Sequence, residues 1–251
     1  MTITGFDTIT DRAAWSMADR VLHHARAADR PYTHDDGLVV AWLGDRGLFV
    51  NAAVITAPPS DWNDTIDRID AVIPPGVVAT LVSPFATPDL SARSWQLVGH
   101  PPLMARFPGT AHAPAMPPDL RIHEVVDRAG LEVFERTLVD GYPMPDLQPY
   151  QWGRLYDERV LGGPTRLWIG FVDGHPVATA AAHAAAGVND VEMIATLDGS
   201  RGRGYGAALT WAATTSDPTL PAILIASDLG RPVYERLGYA ALTRWTMWTR
   251  P

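Results

Sequence analysis

The run Arg201-Gly-Arg-Gly-Tyr-Gly-Ala207 places three glycines and two arginines in seven residues. It lies between an apolar stretch ending at Leu197 and an alanine-rich stretch beginning at Ala207. Glycine lets a chain turn at positive φ and approach a ligand closely. Amides at the start of a helix, with the helix dipole behind them, bind anions. The run therefore predicts a phosphate site at a strand-to-helix turn, with Arg201 and Arg203 adding charge for a pyrophosphate. The bland alternative is a plain turn, which does not require so many flexible residues. Gly202-x-Gly204-x-x-Ala207 also satisfies a dinucleotide fingerprint, and Asp228 ends the next strand, where a ribose ligand belongs. Against that alternative, the strands before the loop are linked by hairpins, and a doubly wound sheet needs helical crossovers.

Other groups with chemical potential are few. Asp190 and Glu192 share one face of the preceding strand through its two-residue repeat. His183, in an alanine-rich strand, can touch a substrate, act as a base or serve as a buried structural residue. All 20 basic residues are arginine, which removes Schiff-base and lysine-base mechanisms and any Walker sequence. Cysteine is absent, which excludes disulfides and thiolate nucleophiles. The eight histidines show no metal-binding spacing, so no metal is expected. A net charge of −8 disfavours nucleic acid and mildly favours a cationic acceptor during association. No apolar run is long enough to span a bilayer, and the first residues lack a leader pattern. The expectation is a cytoplasmic protein without a membrane partner.

The elements that must position these groups follow from periodicity. Pro108 to Pro118 contains four prolines and reads as a linker. In the first half, helices are expected over 11–30 and 61–72. Strands are expected over 37–44, 47–55, 77–82 and 95–107, the first two joined by a Gly44–Gly47 hairpin and the last broken at Pro101-Pro102. In the second half the pattern gives a strand at 120–126, a helix at 127–140, strands at 166–172 and 176–186 joined at Asp173-Gly174, and a strand at 188–197. A helix from Gly206, a strand at 222–226, a short helix from Arg231 and a strand at 243–248 follow. The halves share this order, which suggests a duplication. Trp42, Trp62 and Trp95 read as core or inter-half packing.

The segment from Val191 to Trp248 resembles the Gcn5-related N-acetyltransferases. The likeness rests on the strand ending Met193-Ile-Ala-Thr196, the cradle Arg201-Gly-Arg-Gly-Tyr-Gly206, and Pro232-Val-Tyr234-Glu-Arg-Leu-Gly-Tyr239. With the upstream helix and hairpin it extends over about 120–251. It implies an α+β chain of the broad α/β class, with mixed, mostly antiparallel sheets flanked by helices. Two such halves are expected: a degenerate one at 1–115 without a cradle, and an acyl-CoA-binding catalytic domain at 119–251.

The resemblance further implies transfer of an acetyl or other acyl group from acetyl-CoA, or another acyl-CoA, to a primary amine by direct attack. A small-molecule amine is the expected acceptor, with a protein N-terminus or lysine as alternatives; the oligomeric state is not readable. Pyrophosphate would meet the amides of Arg203, Gly204, Tyr205, Gly206 and Ala207, and pantetheine the strand edge at Ile194 and Thr196. Ser227, which stands where the family often has asparagine, and Arg231 complete the cofactor set. Glu192 is the first candidate for the base and Asp190 the second, with a solvated strand position as the alternative for Glu192. Tyr234 matches the tyrosine that protonates the departing thiolate. Tyr142, Tyr150 and His183 are candidate acceptor contacts. The alternatives are a CoA-binding sensor without turnover and a nicotinamide-dependent oxidoreductase.

Overall fold

A computed structural model describes residues 8–35, 37–44, 50–109, 113–142, 144 and 147–250. The elements in chain order are α1 (Ile9–Ala27), β1 (Tyr32–Asp35), β2 (Leu38–Ala41), β3 (Ala52–Ile55), α2 (Trp62–Val72), β4 (Ala79–Ser83), β5 (Gln96–Gly99) and β6 (Pro102–Arg106). After the Pro-rich segment come β7 (Arg121–Glu124), α3 (Arg128–Gly141), β8 (Thr165–Val172), β9 (His175–Ala185), β10 (Val188–Thr196), α4 (Tyr205–Thr214), β11 (Ala222–Ile225), α5 (Arg231–Arg236), β12 (Ala240–Arg244) and β13 (Thr246–Arg250). Side-chain caps start the longer helices: Thr8 accepts from the Asp11 amide, Asp61 from Asn63 and Asp127 from Gly130. The expected helices and second-half strands lie within a few residues of these bounds. The Asp173-Gly174 turn has both residues at positive φ, 49° and 76°, as a tight hairpin requires. The Gly44–Gly47 turn lies largely outside the described residues, although β2 and β3 do pair antiparallel. β1, paired with β2, was not expected.

Two mixed, mostly antiparallel sheets form, in the orders β1-β2-β3-β4-β13-β5 and β12-β6-β11-β10-β9-β8-β7. The parallel pairs are β3–β4 and β10–β11. No doubly wound sheet is present among the described residues, so the dinucleotide alternative loses its scaffold.

The sheets do not divide at the Pro-rich segment. β6, from the 1–115 half, pairs with β11 and β12 of the other half. β13, from the 119–251 half, pairs with β4 and β5. The strand expected over 95–107, broken at Pro101-Pro102, and the single strand expected over 243–248 each supply two strands in different sheets. Pro101 and Trp245 stand at the two crossings. The Trp245 amide donates to the Pro101 carbonyl at 3.0 Å, and its side chain is fully buried. Arg250 anchors β13 by an ion pair with Asp70 and a 2.8 Å bond to the Ile73 carbonyl at the end of α2.

α1 joins the sheets. Ala13, Ala14, Met17, Ala18, Val21 and Leu22 share one core with Val39, Val54 and Val82 of the first sheet and Leu103, Val188 and Ile223 of the second. Its alanines let both sheets approach the helix closely. Trp95 is buried in the separate core beneath α2, with Trp42 and Trp62 partly buried against it. In the second sheet α4 covers one face and α3 the other. Among the described residues no helix is long and apolar enough to cross a membrane.

Because each sheet contains a strand from the other half, fragments 1–115 and 119–251 made separately should give no cooperative thermal transition, while the whole chain should unfold in one. Two independent transitions in calorimetry of the whole chain would refute this coupling.

Candidate functional site

The cradle forms where the β10–β11 ladder fails. The two strands pair only at Asn189–Ala222 and Asp190–Ile223, although both continue, so Val191–Thr196 presents an open edge toward β11. A register shift between Glu192 and Ala195 marks a bulge, with Met193 at φ 51°. Thr179 pins it by donating to the Met193 carbonyl at 2.9 Å. An open edge offers unpaired amides and carbonyls to a ligand.

Gly202 and Gly204 have φ of 76° and 84°. A Cβ at Gly202 would meet nothing within 4 Å, and at Gly204 the nearest atom is Pro117 Cγ at 3.5 Å. Glycine is required here by backbone conformation rather than crowding, and the space above the turn is open. Gly206 differs, since a Cβ there would press on Thr196 Oγ1 at 3.0 Å. The first helical bond of α4 runs from the Ala208 amide to the Gly204 carbonyl, which leaves the amides of Tyr205, Gly206 and Ala207 at the open helix end. Tyr205 is buried and donates to Asp119 Oδ2 at 2.6 Å, tying the cradle to the chain that enters β7.

The Arg201 side chain is engaged within the protein. Its donors go to the carbonyls of Thr196 (3.1 Å) and Gly141 (3.1 Å) and to Asp198 (3.0 Å), so it staples the end of β10 to the end of α3. Arg203, which lies near the Tyr205 hydroxyl, remains exposed at the turn. Ser227 Oγ accepts from the Gly230 amide at 3.1 Å and shapes the turn into α5. Arg231 pairs with Glu235 at 2.7 Å.

Tyr234 lies on α5, half-buried against Tyr239, with ring centroids 6.2 Å apart. A Cβ on Gly230 would sit 3.0 Å from its ring and 3.3 Å from its hydroxyl, so Gly230 makes room for it. Burial, and then the nearby Tyr142, push its hydroxyl up to about 12, so it stays protonated at neutral pH.

On the opposite face, toward α1, Glu192 Oε2 lies 2.9 Å and Asp190 Oδ2 4.0 Å from Arg20 Nε, all three side chains nearly enclosed. Burial raises both carboxyl pKa values, and the Arg20 guanidinium opposes the rise. Glu192 is therefore not a solvated strand residue. Among the described residues its Oε1 and the Tyr156 hydroxyl are buried without a hydrogen-bond partner, and the Glu192 charge acts on that hydroxyl. A small cavity lined by Arg20, His24, Leu43, Leu155, Tyr156 and Met193 opens beside them. Asp190 is the more deeply enclosed acid, with a side chain 3% exposed against 15% for Glu192.

Two expected acceptor contacts are committed elsewhere. His183 is fully buried, with Nε2 at 3.0 Å from Asp19 and Nδ1 at 2.8 Å from Thr165, and desolvation lowers its pKa. It braces α1 against β9. The Tyr150 hydroxyl shares its one proton between Glu135 Oε2 at 3.1 Å and the Glu132 carbonyl at 3.2 Å, as a packed loop residue would. Tyr142, at the end of α3, lies close enough to Tyr234 to act on its hydroxyl electrostatically; Pro143, Pro145 and Asp146 of this loop lie outside the described residues.

Sequence reasoning missed Arg20, Tyr156 and Glu135. Glu135 is fully buried and accepts from the amides of Gly153 (3.0 Å), Leu155 (3.0 Å) and Tyr156 (2.7 Å). Burial raises its pKa despite these bonds. Its position within the apolar stripe Leu131, Phe134, Leu138 was the available signal.

No protein-family model matches the chain, and no curated protein matches it. Solved structures do. A GCN5-related N-acetyltransferase from Kribbella flavida is 25% identical with a TM-score of 0.71, over 98% of this chain and 97% of that one. A putative acetyltransferase of the GNAT family from Novosphingobium aromaticivorans is 16% identical with a TM-score of 0.61, over 97% and 98%. A functionally unknown conserved protein from Staphylococcus epidermidis is 13% identical with a TM-score of 0.59, over 89% and 94%. By fold the chain is a member of the Gcn5-related N-acetyltransferase superfamily, and that fold supports acyl transfer.

Glu135→Gln replaces one acceptor oxygen with an NH2 that faces backbone donors. It should lower unfolding stability by about 1–3 kcal/mol and expose the 150–156 loop to proteolysis. The denaturant midpoint and cleavage pattern measure both, and an unchanged loop would refute the role.

Proposed function

We propose that the protein transfers an acetyl or other acyl group from acyl-CoA to a primary amine. The observation that carries this reading is the splay between β10 and β11, opening beside the free amides of Tyr205, Gly206 and Ala207. The residues present fit CoA. Those amides and Arg203 would hold its pyrophosphate, and Ile194 and Thr196 on the open β10 edge would pair with its pantetheine. When bound, acyl-CoA supplies a thioester activated toward nucleophiles.

The remaining work falls to side chains. An alkylamine with a pKa near 10 is almost wholly protonated at neutral pH. Glu192 takes that proton at Oε1, the oxygen without a hydrogen-bond partner among the described residues. Its raised pKa makes it a better base than an exposed carboxylate, while Arg20 keeps enough of it ionised to act. Asp190 supports the pair from deeper in the interior. Tyr234 donates its hydroxyl proton to the departing thiolate; because a thiol of pKa near 8.5 already leaves readily, its contribution belongs at the lower end for a general acid, roughly a hundredfold. The 1–115 half, which lacks a cradle, supplies α1 and so one wall of the acceptor pocket.

Calorimetric titration with acetyl-CoA, with NADH and NADPH as controls, tests the cofactor, and a free-thiol assay over a panel of amines tests transfer. Gly204→Val, which forces a β-branched residue into positive φ, should weaken CoA binding by roughly tenfold or more. Tyr234→Phe should retain CoA affinity and lower kcat about a hundredfold. CoA binding without thiol release from any amine would favour the sensor reading, and no CoA binding would refute both.

The pH dependence has a defined sign. Only ionised Glu192 is a base, so kcat falls on the acid side as pH drops through its raised pKa. Arg20 lowers that pKa, so Arg20→Gln should move the acid limb to higher pH. An unmoved limb in the pH–rate profile would remove Glu192 from the base role.

A further inference from the structure

A second, larger cavity adjoins the inner one and shares His24, Leu43, Leu155 and Tyr156 with it. Its charged lining is Arg30, Arg128, Arg154 and Arg159 against Asp157 and Glu158. In a chain of net charge −8, the lining of this cavity sets four arginines against two carboxylates, a local basic excess. Screening confines the opposing charge of more distant surfaces to about 10 Å, so the lining decides what the cavity attracts.

The charges are not equivalent. Asp157 is occupied by Arg159 at 2.8 Å, and Arg159 also reaches Asp29 at 2.6 Å, so these groups largely neutralise one another. Arg30 and Arg128 have no carboxylate within ion-pair distance among the described residues. Both are nevertheless held. The Arg30 guanidinium lies against the backbone of Gly44, where a Cβ would come within 3.2 Å of it. The Arg128 guanidinium stands over the Trp152 ring, 5.4 Å from its centroid. Two positioned guanidiniums without counter-charges offer planar donors suited to a carboxylate or phosphate.

We propose that this outer cavity admits the acceptor, and that Arg30 and Arg128 select amines carrying a carboxylate or phosphate in the same molecule. The proposal rests on the acyltransfer reading and adds the acceptor class to it. The anionic group would sit on the arginines, with the amine directed through the shared wall of His24 and Tyr156 toward Glu192. It reverses the preference for a cationic acceptor that total charge suggests.

The test uses the whole protein and two matched acceptor pairs, β-alanine with n-propylamine and phosphoethanolamine with ethanolamine, in the thiol-release assay. The anionic member should show kcat/KM at least about tenfold higher, and Arg30→Gln with Arg128→Gln should collapse that ratio toward one. Thermal unfolding checks that the doubly substituted protein is folded. Equal rates within each pair, or a preference that survives both substitutions, would overturn the proposal and leave acyl transfer standing. If no amine releases thiol, calorimetry with β-alanine and phosphoethanolamine decides the site separately. Binding lost on substitution sustains the anion site without transfer, whereas no binding, or binding indifferent to the substitutions, overturns it.

Discussion

Removing a guanidinium from water costs several kcal/mol unless the interior supplies charge and hydrogen bonds in return. Arg20, only 8% exposed, imposes that constraint. It extends from α1, which packs on the first sheet, and meets Glu192 and Asp190 on β10 of the second. The ion pair therefore fixes how α1 lies across β10 and draws both sheets onto one helix. It also sets the electrostatics of the pocket, since two buried carboxyls without that cation would favour their neutral forms. Glu135 belongs to the same arrangement. By gathering the amides of 153–156 it holds Tyr156 beside Glu192.

The candidate site arises from local failures of regular structure rather than from its continuation. β10 and β11 stop pairing after two residues, β10 bulges at Met193, and α4 begins from glycines in left-handed conformations. Each irregularity has a specific support: Thr179 for the bulge, Arg201 for the strand end and Tyr205 for the cradle. A regular sheet would have closed the edge that acyl-CoA is proposed to use. The surrounding cores of α3 and α4 keep the opening from collapsing.

What the sequence disclosed depended on whether the cause was local. The cradle was legible because its glycines answer to backbone conformation at their own positions, and the Asp173-Gly174 hairpin for the same reason. The division of 95–107 was visible at Pro101-Pro102, because proline interrupts a ladder by itself. The matching division at Trp245 was not, since nothing in Thr243 to Trp248 disfavours a continuous strand. The tyrosine hairpin partner β1 was overlooked although Gly37, at φ 79°, marks its turn. Arg20 and Glu135 were missed for a different reason. Glu135 is a charge within an apolar stripe and Arg20 lies on a buried face with Ser16 and His24, and the partners of both come from other elements of the chain. His183 was legible only as a choice between a substrate contact and a buried structural residue, because an alanine-rich strand leaves room for an imidazole without showing that Asp19 and Thr165 enclose it.

The exchange of strands also has a consequence for how the chain is made. The place between β4 and β5 is filled by β13, at residues 246–250. As the polypeptide leaves the ribosome, the first sheet has its edges early but must wait for β13, the last of its own strands in chain order, to close it. Until then the facing rows of β4 and β5 offer unpaired amides and carbonyls to any extended segment, including those of a neighbouring nascent copy. Translation speed and chaperone cover between the synthesis of β5 and that of β13 thus bear on the yield of native protein, through a gap built into the topology.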